Sequence, residues 1–369
     1  MPAPQSIQPS PTDAWGQGLL TGGAEGLVKQ INPLQQTDWD ERMAAQPQAT
    51  FFHGTAWARV LTETYGYAPV YLATGHAGGL PGMLPLMEVD SWLTGRRGVS
   101  LPFTDECEPL CGDRETFQKL FQSALKLGRE RGWKYLECRG GERFFPGIPV
   151  SLGHYAHCLK LRADEKTLFA GLDGGVRRAI RKAEKEGVKV EISREWGAVK
   201  AFYSLLVKTR KRHGLPPQPF SLFQNIFRHV LRPNMGVVIV ARQGHTPVGA
   251  AVYFQWGNHA TYKYGASDER FQHLRGNNLV MWEAIKWCGR QGLGSLHLGR
   301  TSLANPGLRK FKLGWGAEEG KIAYFKFDLR RRQFVVERDE TEGWHNRVFR
   351  SAPIFASRLA GRLLYRHWA

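Results

Sequence analysis

Lys312 stands between Phe311 and the run Leu313-Gly314-Trp315-Gly316, in the segment GLRKFKLGWG. A cation held among aromatic rings and glycines, where water is scarce, is well suited to meet negative charge as it develops on an oxygen. The plainer reading is a lysine snorkelling over a core made by Phe311 and Trp315. Just upstream, Arg300 ends a strand-like stretch and is able to grip a phosphate or carboxylate bidentately, with Thr301, Ser302 and Asn305 as neutral donors beside it. A strand-end arginine paired with a neighbouring carboxylate is the alternative. Arg300, Thr301, Ser302, Asn305, Phe311 and Trp315 are therefore candidate substrate-binding residues around Lys312.

A second group is TYKYGAS, where Tyr262 and Tyr264 alternate with Lys263. Alternation on a strand sends both tyrosines to one face, and Tyr264 there could orient an amine or protonate a leaving oxygen. A third is GGVRRAIRKAEKEG, in which Arg177, Arg178, Arg181 and Lys182 precede Glu184 and Glu186. A helix start carrying such cations reads as a phosphate- or polyanion-facing element, or as a solvated face. No Ser-His-Asp or Cys-His arrangement with nucleophile character stands out, so direct transfer without a covalent enzyme intermediate is expected. The twelve histidines and five scattered cysteines show no metal-ligand spacing, and no metal is expected.

These residues need elements to hold them. Apolar residues recur at helical spacing in TFFHGTAWARVLTETYG, ETFQKLFQSALKLGRERG, EWGAVKAFYSLLVKTRKRHG and NNLVMWEAIKWCGRQG. SLFQNIFRHVL is a further helix with Ser221 as its N-cap. PVYLAT, GMLPLMEV, WKYLECR, VKVEI, GVVIVAR, VGAAVYFQW, HATYKYGAS and SLHLG read as strands, with Gly257-Asn258 as a two-residue hairpin turn. The fold class is mixed α/β. Residues 1–34, rich in Pro, Gln and Gly, read as a disordered lead-in.

Antiparallel strands, one helix, a short strand and a glycine-rich loop follow the order of an N-acyltransferase core. Together with the phrases FFHGTAWARVLTETYGYAPVYL, GMLPLMEVDSWLTGRRGVSLPF, RGNNLVMWEAIKWCGRQGLGSLHLGRT and GLRKFKLGWGAEE, this order resembles the Fem family of aminoacyl and acyl transferases. The resemblance is closest to the FemAB-like branch associated with surface-polysaccharide and exosortase systems. It implies two GNAT-like domains, placed at 35–162 and 163–330, followed by a basic tail at 331–369. It also implies attack by an amine on an activated carbonyl, with Lys312 in the family's Phe-Lys-x-x-Trp-Gly phrase serving oxyanion stabilisation or leaving-group contact.

The donor is expected to be an aminoacyl-tRNA or an acyl-CoA, with no tightly bound cofactor. GNAT proteins that use CoA hold its pyrophosphate on an Arg/Gln-x-x-Gly-x-Gly/Ala loop; here the stretch is HLRGNN, where Gly276 fits and His273 and Asn278 depart. Asn278 crowds that approach or caps the helix, which tilts the expectation toward tRNA. The acceptor is an amine-bearing or lipid-linked cell-wall, polysaccharide or peptide molecule.

A formal charge of +18 points to polyanionic partners, and a non-catalytic RNA- or membrane-binding protein is the rival from another class. No signal peptide and no continuous apolar span is apparent, so a cytoplasmic location is expected. In the tail, Arg358, Arg362 and Arg366 form a stripe beside Phe355, Ala356, Leu359 and Leu363, as in a helix peripheral to an anionic membrane or in a C-terminal helix docked on the chain's own core.

Overall fold

The alternating and helical patterns resolve, in a computed structural model describing residues 28–75, 82–161, 164–337 and 349–368, into sheets clad by helices. The first half carries the strands β1 (Lys29–Ile31), β2 (Ala68–Pro69), β3 (Tyr71–Thr74), β4 (Gly82–Leu84), β5 (Met87–Val89), β6 (Arg97–Val99), β7 (Leu110–Cys111), β8 (Tyr135–Arg139) and β9 (Leu152–Lys160). Its helices are α1 (Trp39–Ala44), α2 (Thr55–Tyr65) and α3 (Arg114–Glu130). The second half holds α4 (Glu165–Gly171), α5 (Gly174–Lys185), β10 (Lys189–Ser193), α6 (Trp196–Arg212), α7 (Phe220–Ile226), β11 (Gly236–Gln243), β12 (Thr246–Trp256) and β13 (His259–Ser267). It closes with α8 (Gly276–Arg290), β14 (Ser295–Ser302), α9 (Pro306–Leu313), β15 (Glu318–Asp328), β16 (Gln333–Val335) and α10 (Ile354–Leu364).

Several helix ends obey local chemistry. Gly66 ends α2 in the left-handed conformation at φ 76°, and the Asp113 carboxylate accepts from the Thr116 N–H to start α3. Three expectations are corrected. Pro85 divides GMLPLMEV into β4 and β5, which join different sheets. Pro219, not Ser221, precedes the first residue of α7, so Ser221 lies inside the helix. The glycine-rich segment holding Lys312 is not a loop: Asn305 caps a helix that begins at Pro306. Residues 1–27 of the expected lead-in lie outside the described residues, while Lys29–Ile31 pair with β3.

Twelve strands form one mixed, mostly antiparallel sheet in the order β10-β11-β12-β13-β14-β9-β15-β8-β6-β5-β2, with β16 on β15; β1, β3, β4 and β7 form a smaller sheet. The halves interleave. β9 lies between β14 and β15, and β15 pairs on to β8. Phe51 from the first half packs against Phe254 of β12, ring centroids 4.5 Å apart, in a core that draws residues from both halves. α6 covers one face of β11–β13, and α8 with α5 covers the other.

Two irregularities shape the functional region. β13 and β14 run parallel but pair only over His259–Thr261 with Ser295–His297, after which they part. β13 also slips against β12, so that Val252 faces Tyr264 while Tyr253 faces Tyr262 and Lys263 becomes the extra residue of a bulge. The expected alternation therefore fails. Tyr262 packs with Tyr253 on the α8 side, and Tyr264 packs with Phe202 and Phe223 on the α6 side.

The last helix docks by close approach. A Cβ on Gly361 would lie 1.9 Å from the Pro217 carbonyl oxygen. Gly361→Ala is expected to lift α10 from the body at a cost of about 1–3 kcal/mol. Hydrogen exchange would then show lost amide protection over residues 354–368 and retained protection in β11–β14.

Candidate active site

Where β14 loses its partner β13, its chain kinks: the register against β9 shifts between His297 and Arg300, and Gly299 adopts φ 73°. Lys312, in the last turn of α9, reaches this kink. Its ammonium donates to the carbonyls of Gly299 at 2.7 Å and Arg300 at 3.0 Å, and the side chain is only 4% exposed. Two of its three protons are thus engaged and one is left. Burial pushes its pKa down to about 8, against the pull of Asp105.

Two cavities meet the split. The first is lined by residues 47–52, Asp105, Glu106, His157, Thr261, His297 and Gly299, and so draws on both halves of the chain. The second, about 390 Å³, lies at the start of α8, bounded by Tyr253, Tyr262, Arg275, Gly276 and Asn278 together with Leu308 and Phe311 of α9. Lys312 follows Phe311 of the second cavity in the chain and binds the carbonyl of Gly299, which lines the first, while its own side chain is buried between them and lines neither.

In the first cavity Asp105 is surrounded by cations. Lys263 Nζ lies 4.0 Å from Asp105 Oδ2 and Arg300 Nε 3.9 Å from Asp105 Oδ1. Lys263 donates to the Phe103 carbonyl and sits over the rings of Phe52, Trp57 and Tyr264, 4.9–5.5 Å from their centroids. Burial pushes its pKa down to about 8, again with Asp105 opposing. The loop that presents Asp105 is strained, with Leu101 at φ 51° and Phe103 at φ 59°. Burial, with Glu108 and Asp105 nearby, drives the Glu106 carboxyl upward.

His157, 1% exposed, donates from Nε2 to Glu319 Oε2 at 3.1 Å, while its Nδ1 has no partner among the described residues. Burial and then the charge of Lys312 lower its pKa, so the ring is neutral at pH 7. With the proton on Nε2, the Nδ1 lone pair is free to accept one.

The sequence candidates divide. Arg300 donates to Tyr324 Oη at 2.9 Å, contacts His154 at 3.2 Å and borders Asp105, so it joins the Lys312 cluster. Thr301 is buried with its hydroxyl unpartnered among the described residues, and Trp315 is a core residue edge-on to Phe311 at 6.0 Å. Ser302 Oγ accepts from the Ala304 N–H at 3.1 Å and Asn305 Oδ1 from the Leu308 N–H at 3.0 Å, so both serve local turns. Tyr264 lies on the other face of the sheet, and Tyr262 takes its place at the cavity.

Gly276 begins α8, whose N-cap is Arg275 at φ 58° with no side-chain cap; Asn278 is inside the helix and caps nothing. The Asn278 N–H donates to the Arg275 carbonyl at 2.9 Å, and Gly276, Asn277 and Asn278 all line the second cavity. In α5, Asp173 accepts from the Gly175 N–H at 2.6 Å, so a carboxylate already occupies that helix start. Arg177 donates to the Ala170 carbonyl at 3.0 Å and Arg181 lies 5.5 Å from the Phe169 ring centroid, while Arg178 and Lys182 are exposed. The sequence reading missed Asp105, Glu106 and His157 altogether. The signals available were the acidic cluster Asp105-Glu106-Cys107-Glu108 in a strongly basic chain and the paired histidines of HYAHC.

Residues 174–321 match the acetyltransferase (GNAT) domain family. The chain superposes on the crystal structure of FemX with a TM-score of 0.64 at 14% identity, covering 80% of this chain and 96% of that one. This is a FemAB-like tandem GNAT fold. A tandem GNAT protein from the clavulanic acid biosynthesis pathway matches with a TM-score of 0.54 at 11% identity, over 82% of this chain and 98% of that one. L-PGS from Bacillus licheniformis matches with 0.53 at 10% identity, over 90% and 99%. No curated protein matches the chain by sequence. The GNAT domain supplies the β13–β14 split, α8 and α9, while the Fem-like first half adds Asp105 to the same cluster.

Asp105→Asn removes the negative charge that raises the pKa of both lysines. NMR titration of the lysine side chains in that variant is expected to move two Nζ resonances to lower midpoints. Unchanged midpoints would mean that Asp105 does not act on them.

Proposed function

We propose that the protein transfers an aminoacyl group to an amine in cell-wall, surface-polysaccharide or peptide biosynthesis. The donor ester would lie in the cavity at the start of α8 and the acceptor amine in the cavity of Asp105 and His157. What carries the reading is Lys312, a buried ammonium that binds the Gly299 carbonyl of the one cavity, follows Phe311 of the other in the chain, and has one proton unengaged.

Attack would form the C–N bond while the carbonyl π electrons move to oxygen. Lys312 would donate to that oxyanion, a contribution of about 3–4 kcal/mol for a well-placed donor. His157 Nδ1 would take the proton that the amine sheds. The tetrahedral centre would then collapse, the carbonyl re-forming as the C–O bond to the donor breaks, and the leaving oxygen would take the proton held on His157 to depart as the alcohol. Asp105 would orient the N–H groups of the neutral acceptor amine before reaction and keep Lys312 charged.

An aminoacyl-tRNA suits the exposed cations of α5, namely Arg178 and Lys182 with Arg177 and Arg181 beside them, which would follow a phosphate backbone. The start of α8 favours a second reading, an acyl-CoA donor, because an uncapped helix start next to Gly276 is a ready seat for a pyrophosphate. A non-catalytic RNA-binding protein would need Lys312 for neither.

Single-turnover assays with aminoacyl-tRNA and with acyl-CoA, each against an amine acceptor panel, test the reading. Transfer with one donor is expected, and Lys312→Met should slow it about 100- to 1,000-fold. Undiminished transfer in that variant, or no transfer with either donor alongside RNA binding that survives it, would overturn it.

A further inference from the structure

Helix α10 docks through its smallest residues. Ser357 and Gly361 are buried against the body, whereas the large apolar side chains turn outward: Phe355 is 75% exposed, Leu359 55% and Leu363 57%. Spaced four apart, these three form one stripe. Arg358, Arg362 and Arg366 form a second stripe beside it, and none of the three makes an ion pair among the described residues. Residues 349–368 contain no aspartate or glutamate.

A second segment extends this surface. His367 receives the Ser91 hydroxyl at 2.8 Å on Nδ1, and its carbonyl accepts from Arg97 at 2.8 Å. That anchor brings Trp92, 85% exposed, edge-on to the His367 ring at 5.4 Å. Seven of the twelve large apolar side chains most exposed among the described residues belong to these two segments. Arg358, Arg362 and Arg366 also line a cleft of about 910 Å³ facing Tyr203 and Phe220, roomy enough for a phosphate-bearing headgroup; its one carboxylate among the described residues, Glu63, is already held by Arg228 and His229.

We propose that this surface seats the protein on a bilayer rich in anionic lipid. The apolar stripe with Trp92 and Trp368 would enter the boundary between headgroups and acyl chains, and the arginine stripe would meet lipid phosphates. Charge selects this occupant. A row of arginines that makes no ion pair among the described residues, next to exposed phenylalanine and leucine, fits a sheet of phosphates over hydrocarbon, and the same row would repel itself across a two-fold contact with a second copy. At eleven residues α10 is too short to span, so the attachment lies in the plane of the interface.

Co-sedimentation of the full chain with vesicles tests the proposal by binding alone, independently of any transfer activity. Vesicles of phosphatidylcholine with a third phosphatidylglycerol are expected to bind it at least about tenfold more strongly than phosphatidylcholine alone, with loss at high salt. Combined Phe355→Ser, Leu359→Ser and Leu363→Ser, all at exposed positions, should abolish binding while leaving the melting temperature unchanged. Combined Arg358→Gln, Arg362→Gln and Arg366→Gln should remove the preference for anionic vesicles. Three results would each overturn it: no binding of the unaltered chain, equal binding by the serine variant, or a concentration-dependent dimer in solution that the serine variant dissolves.

Discussion

The region turns on one interaction, the Lys312 ammonium bound to the carbonyls of Gly299 and Arg300. Parting β13 from β14 opens room for substrates but deprives a buried strand of its partner, and an unsatisfied buried carbonyl costs about 1–3 kcal/mol. Lys312 resolves that deficit with a charge rather than a neutral donor. The charge is itself expensive to bury, as the depression of its pKa to about 8 records. The arrangement holds because Asp105 lies opposite and because Gly299 leaves space: a Cβ there would come within 3.2 Å of Asp105 Oδ2.

A scaffold of buried polar groups fixes Asp105. Tyr324 Oη donates to its backbone carbonyl and accepts from Arg300, and Arg139 pairs with Glu137 at 2.7 Å behind it, with Lys326 3.4 Å from the same carboxylate. Tyr324 and Lys326 belong to β15, Arg139 to β8 and Arg300 to β14. The interleaving of β9 and β15 between the two halves is thus what lets an acid of the first half face cations of the second. Cutting the chain near residue 162 would separate partners that share one sheet.

How much of this can be read in the sequence depends on range. Local signals serve well: the helix stop at Gly66, the Gly257-Asn258 turn and the amphipathic run from 276 to 290 all stand in the structure. Helix α9 is masked because Gly307, Gly314 and Gly316 bracket it, although Asn305-Pro306 is a proper start signal. The bulge at Lys263 defeats any argument from alternation, since one extra residue sends Tyr262 and Tyr264 to opposite faces. Its one local trace is Gly265, where a Cβ would fall against the Tyr262 hydroxyl. Asp105 and His157 are invisible because their roles come from strand order, joining positions about 150 to 200 residues from Lys312. Lys312 itself is legible because composition around it, two aromatics and three glycines, already implies burial.

The most direct measurement of the central claim is the pH dependence of single-turnover transfer by the unaltered protein. If the charged form of Lys312 meets the oxyanion, the rate should fall tenfold per pH unit above about 8, where that ammonium loses its proton. A rate that stays level or rises between pH 8 and 10 would contradict it.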